Sequence, residues 1–283
     1  MTPGAVILAR GLGTRMRRDT GVAAEGSDAG GRKAGAPRLT AAQAAVADAG
    51  LKAMMPVGRP LIDYILSALG DAGVTEACLV IGPEHDAVRD YFAAAEPRRV
   101  RVRFAVQERP LGTADAVRAA ESAVVTDRFL VINGDNYYPA AVLARLAAMD
   151  QPSVAAFART TLIADGPVPA ERVARFALLE VGGDGYLRRI VEKPDARTLG
   201  ELGPDAPVSM NCWLFDRRIF AACRAVEQSA RGELELPLAV QRAIDDRVMR
   251  IRAVPVAGPV LDLSAREDVA AVTARLRHVT PEP

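Results

Sequence analysis

Apolar and polar residues along this chain repeat with two periods. Short apolar runs of strand length, Gly4–Ala9, Ala77–Ile81 and Phe129–Asn133, stand between stretches whose apolar residues recur at helical spacing. Pro60–Ala72 keeps that spacing and stops at Gly73, a residue suited to the position just past a helix end. Glu84 to about Ala95 and Thr113–Ala123 read as further helices, and Arg101–Val106 alternates basic and apolar residues as a half-exposed strand does. Strands alternating with helices predict an α/β fold around a largely parallel sheet.

Past residue 150 the pattern shifts toward hairpins. Val154–Ala158 and Phe176–Val181 read as strands, and Gly182-Gly183-Asp184-Gly185 makes a tight turn into a strand over Leu187–Val191. Val208–Phe215 reads as one more strand, followed by helices over Arg218–Glu227 and about Leu236–Asp245. The chain then reads strand, strand, and a helix from about Ala265 to Arg277. Residues 1–150 are therefore expected to form a nucleotide-binding half and residues 151–283 an acceptor-binding half of one domain. Residues 20–37 are rich in Gly and Ala and read as a mobile loop. Thr40 can cap a helix over Ala41–Ala49, with Gly50 ending it.

Composition narrows the function. Of 283 residues half are apolar and a quarter charged, with a net charge of +1. No basic field marks a nucleic-acid binder, so phosphate recognition must be local. Three scattered cysteines, Cys78, Cys212 and Cys223, lack metal-ligand spacing and fit a reducing cytoplasm. With only two histidines, neither a zinc site nor a Ser-His-Asp relay is expected; His85, at a helix start, and His278 are both expected on the surface. No apolar segment has the length to span a bilayer, which excludes a membrane partner and again points to the cytoplasm.

The first strand runs directly into the chain's most distinctive chemistry, Leu8-Ala9-Arg10-Gly11-Leu12-Gly13-Thr14-Arg15. Glycines there allow the backbone to press against a ligand, successive N–H groups can cradle an anion, and Arg15 adds a fixed charge suited to phosphate oxygens. The run is neither a Walker A motif nor a dinucleotide fingerprint, and alone it fits an ordinary strand-to-helix turn equally well. Six further segments follow in order: Leu51–Pro60, Gln107–Ala116, Ile132-Asn133-Gly134-Asp135, Val191-Glu192-Lys193-Pro194, Met210-Asn211-Cys212-Trp213 and Leu261-Asp262-Leu263.

In that order these segments resemble the sugar-phosphate nucleotidyltransferases, from Ala5 to about Leu276. The resemblance implies a Rossmann-like three-layer α/β sandwich with a mixed, mostly parallel central sheet. It implies transfer of a nucleotidyl group from an NTP, UTP or dTTP in the first instance, to a sugar 1-phosphate, with Mg²⁺ as cofactor. Arg15 and Lys52 would neutralise the phosphates, with Lys33 a less well-matched rival for the lysine. Leu8, Ala9, Gly11, Gly13, Thr14, Gln107, Gly112 and Thr113 would hold the nucleotide. Gly134, Glu192, Lys193 and Asn211 would hold the sugar phosphate, and Asp135 and Asp262 the metal. Relatives with this pattern are often oligomeric, although nothing in the sequence identifies an interface. Rival readings are a cytidylyltransferase acting on a polyol or choline phosphate, and a regulatory relative without turnover. The chain has no long C-terminal extension of the kind that adds an acyltransferase, so one activity is expected.

Four departures from the pattern stand out. Arginine replaces a small residue at Arg10, where it could reach the nucleotide or point outward. Cys212 replaces a glycine and is expected to alter the floor of the sugar pocket. Val260 stands where a tryptophan commonly precedes the second aspartate, which also leaves Asp262 open to a plain helix-capping role. The fourth is the insertion between Arg15 and Lys52, whose residues 17–38 are expected to order over bound NTP as a partial lid.

Overall fold

A computed structural model describes residues 2–11, 13–17 and 39–283. The expected loop over 20–37, Lys33, and all of the expected lid except Arg17 lie outside those residues.

Twelve strands are present among the described residues. In the first half they are β1 (Gly4–Leu8), β2 (Glu76–Ile81), β3 (Arg101–Val106), β4 (Arg128–Asn133) and β5 (Asn136–Tyr137). The second half adds β6 (Ser153–Phe157), β7 (Ala177–Val181), β8 (Leu187–Val191), β9 (Val208–Ser209), β10 (Trp213–Asp216), β11 (Arg252–Val256) and β12 (Leu261–Asp262). Ten of them form one mixed sheet in the order β3-β2-β1-β4-β10-β6-β9-β7-β8, with β11 beside β6. The four strands from β3 to β4 run parallel, as strands joined by helical crossovers must. β10 enters antiparallel between β4 and β6 and so stitches the two halves of the chain into one sheet.

Alternate residues of each strand feed two cores. Ala5 and Ile7 pack against one helical layer, which includes Leu61–Asp71 and Ala140–Ala147. Val6 faces the other, built from Thr113–Ala119, Arg218–Ala225 and Leu236–Asp245. Burial on both faces explains why the central strands read as uninterrupted apolar runs rather than as an alternation. No helix among the described residues is long and apolar enough to cross a membrane.

The inserted helix forms over Ala41–Ala49 as its caps require. Thr40 Oγ1 accepts from Gln43 N at 3.3 Å, while Gln43 Oε1 accepts from Thr40 N at 3.0 Å. Gly50 closes it at φ +74°. This end of the insertion reaches the glycine loop, because Gly13 sits at φ +58° with room for no Cβ: one built there would lie 2.8 Å from Gly50 Cα. The positive φ expected of this loop is therefore found at Gly13, and a β-carbon at Gly11 would meet nothing.

Three local expectations are corrected. The helix from Thr113 ends at Ala119, short of Ala123. The single strand expected over Val208–Phe215 is broken into β9 and β10, because Asn211 adopts φ +54° and Tyr138, fully buried, donates its hydroxyl to Met210 O at 2.5 Å. His85 does start a helix, Asp86–Ala95, but is buried, 6% exposed, with Nδ1 accepting from Gly82 N at 3.2 Å. Only His278 is exposed, as expected.

Gly112 joins the two halves at the start of the Thr113 helix. Its φ is +130°, and a Cβ would fall 2.4 Å from the carbonyl oxygen of Leu234, whose N–H donates to Leu111 O at 2.7 Å. Backbone on both sides leaves nothing that can yield. Gly112→Ala should therefore lower stability by about 2 kcal/mol or more, read as a shift of the urea midpoint at unchanged m-value.

Candidate active site

Two cavities of about 330 and 850 Å³ open at the C-terminal edge of the parallel strands, where open α/β sheets place their ligands. The smaller is lined by Leu8–Gly11, Gly13, Thr14, Gly112 and Thr113; the larger by Glu192, Lys193, Ser209, Arg172, Arg231 and Asp262. Arg15, Lys52, Asn133, Asp135 and Asn211 line both. The site is thus one cleft with two chambers meeting at a shared set of charged and polar groups.

At the meeting point Lys52, presented by the short 3₁₀ turn Lys52–Met54, places Nζ 2.7 Å from Asp135 Oδ2. Both side chains are largely shielded, at 16% and 25% exposure. Asp135 follows β4 directly, and its backbone oxygen accepts from Leu263 N at 2.9 Å. That bond continues a two-stranded ribbon, β5 with β12, in which Asp262 pairs with Asn136. The ribbon delivers the second carboxylate beside the first across more than a hundred residues of sequence.

Asp262 accepts from Ser264 Oγ at 2.9 Å and from Arg172 Nη1 at 3.3 Å. Burial pushes its carboxyl up to about 6, and the nearby charge of Asp135 pushes the same way, against Ser264 and Arg172. It does not cap the final helix, Asp268–Leu276. Asp268 instead accepts from the Ser264 and Ala265 N–H groups just before that helix. Among the described residues no three His, Cys, Asp or Glu side chains cluster as a metal cage. A pair of shielded carboxylates brought together by the ribbon, made only of hard oxygen donors, fits Mg²⁺, which takes one or two protein carboxylates and completes its shell with phosphate and water.

The larger chamber holds two residues in conformations that non-glycine residues rarely adopt. Lys193 lies at φ +46° just after the β7–β8 hairpin, and Asn211 at φ +54° in the break between β9 and β10. Such strain, of order 1–3 kcal/mol each, persists where surrounding structure fixes it, and it concentrates at functional sites. Here Tyr138 and the Trp213 indole, which donates to Asn211 Oδ1 at 3.4 Å, fix the second. Glu192 titrates above the ordinary carboxylate range because it is buried and faces Glu235, with Arg231 only partly compensating at 3.9 Å.

Gln107 and Cys212 sit apart from this convergence. Gln107 is 1% exposed, lines neither chamber, and gives its amide N–H groups to Asp115 Oδ2 at 2.8 Å and Gly112 O at 3.1 Å, leaving Oε1 buried without a partner. Cys212 is fully buried in the core and lines neither chamber, so it does not shape the floor of the sugar pocket as expected. Arg172 and Arg231 were not apparent from the sequence: each comes from a short helix or loop with no motif and reaches the cleft through tertiary packing.

Arg172 is the counter-charge for both Asp262 and Asp268, with Nη1 2.9 Å from the latter, and its side chain is 17% exposed. Removing one side of a buried ion network strands the other, so Arg172→Ala should cost about 3 kcal/mol at neutral pH. The pH dependence follows from Asp262. Its folded-state value exceeds 3.8, so the folded protein holds the extra proton between about pH 4 and 6, and stability falls as pH rises through that window. Without Arg172 that value climbs further, so the variant's deficit should be largest near pH 7.5 and shrink toward pH 5. Thermal midpoints across that range check it, and a deficit independent of pH would contradict it.

Residues 47–254 match the Nucleotidyl transferase family. Similar proteins include the bifunctional protein GlmU of Geobacter metallireducens, 30% identical over 90% of this chain and 46% of its own length. The glucose-1-phosphate thymidylyltransferase of Streptomyces antibioticus is 28% identical over 86% and 57%. The low-salt glycan biosynthesis nucleotidyltransferase Agl11 of Haloferax volcanii is 26% identical over 70% and 52%. The chain spans about half the length of these relatives. A crystal structure of UDP-glucose pyrophosphorylase complexed with UDP-glucose shares the fold, with a TM-score of 0.71 and 18% identity over 98% of this chain and 99% of that one. With the ordered motifs gathered in one cleft and the family match covering most of its length, the chain belongs to the nucleotidyl transferase family.

Proposed function

We propose that this protein transfers a nucleotidyl group from UTP or dTTP to a sugar 1-phosphate and releases pyrophosphate. The observation that carries this reading is the two-chambered cleft whose chambers share Arg15, Lys52, Asp135 and Asn211. Two anionic substrates bound side by side would meet where the protein's charge is concentrated. The names of the similar proteins, which act on sugar phosphates or make nucleotide sugars, support it.

In this reading the first half of the chain holds the nucleotide and the second half the acceptor. An oxygen of the sugar phosphate attacks the α-phosphorus, the bond to the β-phosphate oxygen breaks, and the electron pair leaves on pyrophosphate. The nucleophile is already an anion at neutral pH, so no strong general base is needed, in keeping with a cleft that holds no histidine. The protein's task is to hold both anions in line and neutralise developing charge. Arg15, in both chambers, binds the departing phosphates, while Lys52 lies close enough to the shared edge to follow charge between the α-phosphate and the leaving group. Glu192 and Asn211 hold sugar hydroxyls, and Lys193 holds the sugar phosphate. Asp135 and Asp262 would hold Mg²⁺, which when bound supplies charge neutralisation at the phosphates.

Pyrophosphate release with a panel of NTPs and sugar 1-phosphates tests the reading, and turnover of CTP with a polyol or choline phosphate, or none at all, would replace it. Asp135→Asn should keep the fold and lower turnover at least about 10²-fold, so near-normal turnover at saturating Mg²⁺ removes the metal assignment. Lys193→Ala should raise KM for the sugar phosphate far more than for the NTP. An equal rise in both would place Lys193 with the triphosphate or with the scaffold.

A further inference from the structure

Arg10 has an environment that phosphate binding does not explain. It leaves β1 between Ala9 and Gly11, at a position expected to be small, and its side chain is 8% exposed. Nη2 donates to both carboxylate oxygens of Glu84 at 3.2 Å, from the turn after β2. Nε and Nη1 are buried with no hydrogen-bond partner among the described residues, and Arg10 is one of the residues that line the nucleotide chamber. A buried guanidinium with two unanswered donors is costly in a finished fold and calls for an acceptor that arrives with a ligand.

Two observations say which part of a nucleotide supplies it. First, Arg10 is on the β2 side of the chamber, whereas Arg15, Lys52 and Asp135 mark the phosphate end where the two chambers meet. Second, the Arg10 charge is already cancelled. Glu84 pairs with it, and His85, 3.5 Å from Glu84, is kept neutral by burial that pushes its pKa down. A phosphate would gain little there and would meet the Glu84 carboxylate, but a neutral carbonyl oxygen would gain a strong donor.

Building on the reading above, we propose that Arg10 is a base-reading residue that favours nucleotides carrying a keto oxygen at the edge of the ring. Uracil, thymine and guanine present an acceptor there; cytosine and adenine present an amino group, which is itself a donor facing a donor. Discrimination comes mainly from the mismatch, because the wrong base leaves buried N–H groups on both sides unsatisfied. Glu84 acts as a positioning residue, holding Nη2 and so fixing the guanidinium, with Nε and Nη1 left over, at the wall of the chamber.

The test compares bases of equal ring size, UTP with CTP and GTP with ATP, by calorimetric binding to the intact protein with Mg²⁺ present. Wild type should prefer the keto member of each pair. Arg10→Met, which keeps the apolar stem, and Arg10→Ala should weaken the keto member roughly 10- to 100-fold, the range of a charge-assisted hydrogen bond, and the amino member by no more than about threefold. Arg10→Lys should restore part of the preference. Equal losses for all four nucleotides, with either variant, would make Arg10 a phosphate, ribose or scaffold residue and overturn the proposal, as would a wild type without keto preference. Failure of the transferase reading is separable: wild type that discriminates in binding but releases no pyrophosphate overturns that reading and leaves Arg10 standing. Wild type that binds no NTP overturns both.

Discussion

Two carboxylates close together in a shielded ribbon need positive charge, and the architecture of this cleft is arranged around that need. β5 and β12 are only two residues long each, yet their pairing sets Asp262 beside the segment that carries Asp135. Neither charge could stay buried alone; an unpaired carboxylate in such surroundings would cost several kcal/mol or take up a proton. The chain answers with Lys52 for the first and Arg172 for the second, from elements far apart in sequence. Lys52 in turn sits on the 3₁₀ turn that follows Gly50, and Gly50 is the residue against which Gly13 packs. The glycine loop, the inserted helix and the acidic ribbon are therefore joined in series, by an ion pair at 2.7 Å and by contact between two glycines.

The same arrangement shows how a chain of net charge +1 still gathers local charge at its cleft. Arg15 and Lys52 stand where the two chambers meet, Lys52 paired with Asp135, and Arg172 lies in the larger chamber paired with Asp262. Each of these two carboxylates is thus offset by a cation from another part of the chain. The ordering cost of the long Lys and Arg side chains is met within the fold rather than at binding, which favours tight and oriented capture.

Much of this was legible in the sequence, and the reason is physical. Strands buried on both faces must be apolar runs, helices packed on a sheet must repeat at 3.6, and a capped helix needs Thr40, Gln43 and Gly50 where they stand, so the order β1 to β4 and the inserted helix could be read directly. Groups at strand ends, Asp135 among them, were also visible, because a glycine after an apolar strand marks the ligand edge of such sheets. What could not be read was long-range or depended on a single backbone angle. The break at Met210-Asn211-Cys212 depends on a left-handed Asn211 held by Tyr138, 73 residues earlier in the chain, and that break also turns Cys212 into the core and away from the chamber. His85 is polar and starts a helix, which reads as surface; its burial follows from the turn at Gly82 closing over it. Arg172 belongs to no motif because its role is to balance charge on residues about ninety positions away.

Arg10 marks the point at which motif and environment separate. The resemblance of the glycine run to a phosphate loop does not depend on which residue stands before Gly11, because in such a loop the backbone does the cradling. The environment adds that this side chain is buried, paired with Glu84 from the turn after β2, and part of the wall of the smaller chamber. The cleft thus changes character along its length: charge-dense where the chambers meet, and neutral but rich in directed donors and acceptors at the β2 end. Coulomb attraction at the first end is strong and nearly indifferent to which nucleotide arrives, because every NTP carries the same triphosphate. Selection among bases must come from the second end, where a mismatched hydrogen bond in a shielded site costs more than a matched one gains. In the proposed reaction those two tasks would fall to different residues of one cavity, Arg15, Lys52 and Asp135 for the phosphates and Arg10, held by Glu84, for the base.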